Sequence, residues 1–223
     1  MESNATNNTA NNTELVFIMD RSGSMCGLEA DTVGGINSVL KANRQLPGQV
    51  TVSTVLFNTN TQVLHDRVPI GQVKDMEQRD FVPSGCTALL DAVGGSIKHI
   101  GRVQKYMPEG YKADKVIFVI TTDGYENASR RYSYAEVKGL IEQKTEEGWE
   151  FLFLAANIDA AAEAGKLGIA EDRAVDYIPD ATGSSAMFGS VADATCCMRQ
   201  APRTRMDGSW REKVFHDRKS RKN

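Results

Sequence analysis

Asp20, Ser22 and Ser24 alternate with Arg21 and Gly23, Thr87 follows Pro83-Ser84-Gly85-Cys86, and Asp123 precedes Gly124. Two carboxylates and three hydroxyls, with no Cys or His among them, make a hard oxygen donor set. Such a set suits Mg²⁺ or Mn²⁺, which keep several waters and near-octahedral geometry. Ser22 and Ser24, two apart in a Gly-containing loop, can turn both oxygens toward a point near Asp20. Two carboxylates gathered at one place repel each other unless something cationic lies between them. Taken singly, each residue has a plainer reading: Asp20 a loop carboxylate, Ser22 a turn former, Thr87 a helix N-cap, Asp123 a turn starter. What separates the two readings is whether the fold brings all five together.

The elements around them predict that it does. Residues 15–20 are a short apolar run closed by a carboxylate, residues 115–123 repeat that design, and residues 150–157 are a third such run. Strands buried on both faces of a parallel sheet read this way. Residues 50–57 form a fourth strand. Residues 61–65 follow across Asn58-Thr59-Asn60 as its hairpin partner, giving one antiparallel edge strand. Residues 175–178 supply a sixth.

Between these runs the spacing becomes helical. Val33, Ile36 and Leu40 share a face, and Leu90, Val93, Ile97 and Ile100 form an amphipathic stripe. Val137, Leu140 and Ile141 mark a helix opened by Ser133 with Glu136 three residues on, a capping box. Residues 160–167 and 185–199 complete the series. The fold class is therefore α/β, a doubly wound, mostly parallel open sheet of about six strands flanked by helices. In such a sheet ligands gather at the carboxyl ends of the strands near the switch point, where Asp20 and Asp123 stand.

The chain has 223 residues, 41% hydrophobic and 25% charged, enough for one large domain with a proper core. The expected division is an Asn/Thr-rich disordered leader over 1–13, one domain over 14–199 and a basic tail over 200–223. The net charge of −3 hides an asymmetry, since residues 199–223 carry nine Lys/Arg against three Asp/Glu. Trp210 and Phe215 stand among Arg203, Arg205, Arg211, Lys213, Arg218, Lys219, Arg221 and Lys222. That tail is expected to be a solvated terminus, and any nucleic-acid or acidic-protein binding would run through it. The leader shows no export signal and no apolar run reaches membrane-spanning length, so the expected compartment is the cytoplasm. Cys196 and Cys197 lack zinc-site spacing, and Cys26 and Cys86, beside the candidate loops, are expected to fill space.

The segments Asp20-Arg21-Ser22-Gly23-Ser24, Gly85-Cys86-Thr87-Ala88-Leu89-Leu90-Asp91 and Thr121-Thr122-Asp123-Gly124 resemble, in order and spacing, the von Willebrand factor A (vWA) domain. They match its D-x-S-x-S, threonine and aspartate elements, the metal-ion-dependent adhesion site (MIDAS), and the likeness spans residues 14 to about 199. Residues 123–129 and 148–154 further resemble the small intracellular-type bacterial and phage vWA proteins. The resemblance implies a Rossmann-like fold and a binding function rather than catalysis. Ser22 and Ser24 would hold the metal, Asp20 through water, and Thr87 directly in one state and through water in another. Asp123 would coordinate or lie just behind, and a protein partner's Asp or Glu would complete the shell. Arg21 is expected to face solvent and steer an acidic partner. Glu126, Asn127 and Asp91 are near-site candidates, each also suited to capping or surface roles.

The main rival is a metal-dependent phosphoryl-transfer hydrolase using Asp20 as nucleophile. Such a site would want a second Asp where Ser22 stands. Serine hydrolysis lacks a G-x-S-x-G elbow, and His65, His99 and His216 fall in the edge strand, a helix and the tail. No phosphate-cradling Gly-rich motif is present.

Overall fold

The computed structural model describes residues 12–200 and 207–221. Six strands form one sheet: β1 (Thr13–Asp20), β2 (Val50–Phe57), β3 (Thr61–Pro69), β4 (Lys115–Thr122), β5 (Glu150–Ala156) and β6 (Ala174–Tyr177). Their order is β3-β2-β1-β4-β5-β6, with β3 antiparallel to β2 and every other pairing parallel. The chain winds outward from β1 to β3, then returns to β4 on the other side of β1. The switch point thus lies between β1, which ends at Asp20, and β4, which ends one residue before Asp123.

Alternation along β1 shows why the apolar runs are continuous. Leu15, Phe17 and Met19 join the core beneath α1 (Glu29–Arg44) and α5 (Ala181–Gln200). Val16 and Ile18 join the opposite core, beneath α2 (Leu89–Tyr106), α3 (Tyr134–Glu146) and α4 (Ala160–Lys166). Successive strand residues point to opposite faces, so a strand covered on both sides must be apolar at every position. At Gly35 the layer over α1 is so close that an added Cβ would fall 1.9 Å from the Phe188 ring of α5. The capping box at the start of α3 forms as its sequence requires, with the Glu136 carboxylate accepting the Ser133 N–H at 2.8 Å.

Two expectations are corrected. The helix read over 185–199 starts at Ala181 and is not the last one, because α6 (Glu212–Ser220) follows it. Nor do residues 207–221 form a solvated terminus. Trp210 and Val214 are buried in the core on the α1/α5 side, and the Trp210 indole N–H donates to the Asp172 carbonyl at 2.9 Å. Four of the basic residues seen in the sequence are engaged. Arg211 donates to the carbonyls of Glu171 and Ala174, the latter on β6, at 2.8 and 3.1 Å. Lys213 pairs with Asp193, Arg218 with Asp176, and Arg221 with both Asp180 and Asp217. Arg218 and Arg211 thereby cover the outer edge of β6, which would otherwise present unpaired backbone groups.

Arg199 is likewise no part of a tail: it is 1% exposed and caps the C-terminal end of α1 through the carbonyls of Asn43 and Pro47. Arg203, Arg205, Lys222 and residues 1–11 of the leader lie outside the described residues, and Thr13 already belongs to β1. No helix among the described residues is long and apolar enough to cross a membrane.

Candidate metal centre

β1 delivers Asp20 fully buried, at 0% exposure. One carboxylate oxygen accepts the Ser22 N–H at 2.7 Å, which curls the loop back over the strand end. The other accepts the Thr122 hydroxyl from β4, also at 2.7 Å. The curl sets the Ser22 and Ser24 hydroxyls 3.1 Å apart, and Ser24 donates to Asp123 Oδ1 at 2.6 Å. Thr87 enters from the segment before α2. A Cβ added to Gly124 would lie 3.7 Å from Thr87 Oγ1 and 3.8 Å from Ser24 Oγ, so both hydroxyls approach the same spot beside Asp123. All five sequence-derived residues are brought together.

The plainer readings of Thr87 and Asp20 fall away on the same geometry, while Ser22 does open a turn, its carbonyl accepting the Met25 N–H at 3.1 Å. Ala88, not Thr87, is the N-cap of α2, and Ser22 makes no side-chain cap of the short 3₁₀ turn Gly23–Met25. Asp20 lies inside the sheet rather than on an open loop.

The electrostatics are unbalanced without a cation. Asp123 is 3% exposed, and its Oδ2 is buried with no hydrogen-bond partner among the described residues. Burial pushes the Asp20 carboxyl above its ordinary value, against the opposing pull of its bonds from Ser22 and Thr122. Burial does the same to Asp123, and the neighbouring Asp20 charge pushes it further in that direction. An orphaned carboxylate oxygen next to a second buried carboxylate is what a bound divalent ion would satisfy. The donor set is all oxygen, as the sequence suggested. Among the described residues no cluster of three or more His, Cys, Asp or Glu side chains forms another candidate.

The near-site candidates turn out to build the loop rather than line the centre. Glu126 accepts N–H groups from Leu90, Ala128 and Ser129 at 2.7–2.9 Å. Asp91 accepts those of Arg130, Arg131 and Tyr132 at 2.8–3.0 Å. Asn127 accepts the Thr87 N–H at 2.9 Å and returns its own N–H to the Thr87 carbonyl at 3.0 Å. Together they lace the loop after β4 to the start of α2, fixing Thr87 against Asp123. The first and second loops are joined where Gly23 N–H donates to the Gly85 carbonyl at 3.0 Å. Gly85 takes φ +72°, and a Cβ there would come 2.7 Å from Thr59 Oγ1, so glycine is required at this crossing.

Arg21 departs from expectation. It is half-buried, its Nε lies out of water without a partner among the described residues, and its backbone bridges Phe57 and Ser84. Cys26 and Cys86 fill no interior space, since both are exposed free thiols. His65 bonds Thr54 and His99 pairs with Asp66, so neither serves the centre.

Sequence reasoning gave no role to Thr122, although it lies in the motif segment just before Asp123. Its hydroxyl orients Asp20, and groups that orient ligands in this way tune metal sites strongly. Thr122→Val keeps the shape and deletes the donor. It is expected to weaken divalent-cation affinity by about tenfold, with little change in circular dichroism; unchanged affinity in a Mn²⁺ titration would contradict that role.

The six-stranded order, the antiparallel edge and this centre at the β1/β4 switch define a vWA fold. No family model matches the sequence, and no curated protein sequence matches it. Solved structures do. The vWF domain of the type V pilus tip protein Mfa5 from Porphyromonas gingivalis superposes with a TM-score of 0.61 at 10% identity, over 88% of this chain and 99% of that one. The pilus adhesin SpaC from Lactobacillus rhamnosus GG gives 0.61 at 12% identity, over 82% and 30%. Proximal thread matrix protein 1 from the mussel byssus, in a structure described as having a zinc-occupied MIDAS motif, gives 0.55 at 15% identity, over 84% and 46%. The chain thus spans about half the length of the mussel protein, and these likenesses establish its fold.

Proposed function

We propose that this protein is a metal-dependent binding module whose divalent cation is completed by an aspartate or glutamate of a protein partner. The observation that carries the reading is the convergence of Asp20, Ser22, Ser24, Thr87 and Asp123 at the β1 and β4 strand ends, with Asp123 Oδ2 buried and without a partner among the described residues. Mg²⁺ or Mn²⁺ suits an all-oxygen donor set. Ser22, Ser24 and Thr87 would be its hydroxyl donors, with Asp20 and Asp123 supplying charge. When bound, the cation would supply an incompletely neutralised positive charge, which attracts a carboxylate.

The zinc-occupied MIDAS described for the mussel protein, and the similarity to a pilus-tip protein and a pilus adhesin, support a binding reading over a catalytic one. The chain itself adds that no histidine stands at the centre to act as a base. Residues 123–129 and 148–154 favour the small intracellular-type bacterial and phage group. Four free cysteines fit the reducing cytoplasm.

The test is capture of partners from the native cell with and without Mg²⁺, using wild type and Asp20→Ala. Partners that appear only with wild type and Mg²⁺ are expected. Recovery of the same partners by both proteins, with chelator present, would overturn the reading.

A further inference from the structure

Beside the metal centre, on the β5 side, stands a cluster that the proposed cation does not use. Tyr125 directly follows Gly124 of the third loop and is 54% exposed, one of few large apolar side chains so placed. The Lys166 ammonium, at the end of α4, lies 5.7 Å from the Tyr125 ring centroid and 5.8 Å from that of Tyr134. Behind it is Glu163, whose side chain is 1% exposed against 54% for Lys166, with 2.8 Å between their charged atoms. The Tyr134 hydroxyl donates to the same Glu163 carboxylate.

This arrangement orients charge. The carboxylate is inside and the ammonium outside, so the pair turns its positive end to solvent. Two aromatic rings and a buried anion hold that end in place, which lowers the entropy a lysine would otherwise lose on binding. Tyrosine is enriched among interface anchors, and lysine, ordinarily depleted there, is here held in place by its neighbours.

Resting on the metal-completed reading above, we propose that Tyr125 and Lys166 form a second subsite of the same binding face. It receives a second carboxylate of the partner segment that completes the cation. The partner is therefore an acidic stretch with two carboxylates, not a single acid: one reaches the metal centre, the backbone between them crosses the Tyr125 ring, and the other meets Lys166. Charge complementarity sets this choice, because a cation and an outward ammonium on one face both select for negative charge. Continuity with the centre sets the geometry, since Tyr125 is two residues from Asp123.

The experiment uses the full chain with Mg²⁺ and fluorescent peptides carrying either one aspartate or two aspartates across a ladder of lengthening glycine spacers, read by anisotropy. At the spacer that fits, the two-aspartate peptide is expected to bind about fivefold tighter than the single one, the gain of one well-placed exposed ion pair. Lys166→Gln should erase that advantage and leave single-aspartate binding intact, while Lys166→Arg retains it. Tyr125→Ala, an exposed position where folding is not at stake, should reduce the advantage as well. An advantage that survives both Lys166→Gln and Tyr125→Ala, or that is absent at every spacer, would overturn the subsite while single-aspartate binding still followed Mg²⁺. Single-aspartate binding indifferent to Mg²⁺ would overturn the metal reading, and the subsite with it.

Discussion

In chelator, Asp123→Asn protein is expected to melt at a higher temperature than the wild type, and with saturating Mg²⁺ the order reverses. The wild type places two buried carboxylates side by side, one with an oxygen that meets no donor among the described residues. The substitution keeps an oxygen that can accept from Ser24 Oγ and removes both the second charge and its repulsion with Asp20. Burial holds both carboxyls above the ordinary value of 3.8, so the folded chain binds protons more readily than the unfolded one. Their contribution to stability is fully present below the ordinary carboxylate range and is lost as pH rises through the raised values. Chelated wild type should therefore lose this contribution between acidic and neutral pH, and the difference between wild type and Asp123→Asn should change with it. With metal the sign inverts, since a cation stabilises the ionised pair that protonation would remove. Differential scanning calorimetry across pH, with chelator and with Mg²⁺, reads both effects. Equal melting of the two proteins in chelator would contradict the electrostatic imbalance assigned to the centre.

Trp210→Ala is expected to cost about 3–5 kcal/mol, the range for truncating a buried aromatic, and to lower the melting temperature by roughly 10 °C. Trp210 is 7% exposed and, with Val214, is an apolar anchor of the C-terminal segment. Losing it removes the indole bond to the Asp172 carbonyl and unseats the neighbouring Arg211 from Glu171 and Ala174. Its companion Phe215 is 45% exposed and serves as the control, with Phe215→Ala expected to change stability by well under half as much. Equal effects of the two substitutions in urea denaturation would show that α6 does not dock as described.

Much of the architecture was legible because it is written in local patterns. Apolar runs ending in carboxylates announced β1 and β4, and Ser133 with Glu136 announced the start of α3. The five centre residues were legible for a related reason: motif spacing and strand ends coincide at the switch point. What escaped notice depends on contacts distant in sequence. In α6 only Val214 is buried, with Trp210 in the 3₁₀ turn just before it, too few to show a helical period. Its arginines and lysine look like a solvated run until Asp176, Asp180 and Asp193 are brought opposite them by the fold. Arg199 counted as the first tail cation, although its partners are the end of α1. Thr122 drew no site role because a strand-end threonine reads as β-propensity, and only pairing of β1 with β4 sets its hydroxyl against Asp20. Arg21 occupies the motif position that motif logic leaves unconstrained, yet its backbone is clamped between β2 and the segment before α2.

The claim that Asp20, Ser22, Ser24, Thr87 and Asp123 hold a divalent cation is tested most directly by titrating Mn²⁺ into chelator-stripped protein. The free-ion electron paramagnetic resonance signal reports uptake. Wild type is expected to take up a single Mn²⁺ per chain that Mg²⁺ displaces, and Asp20→Ala to take up none at the same concentrations. Equal uptake by the two proteins, or no uptake by either, would contradict it.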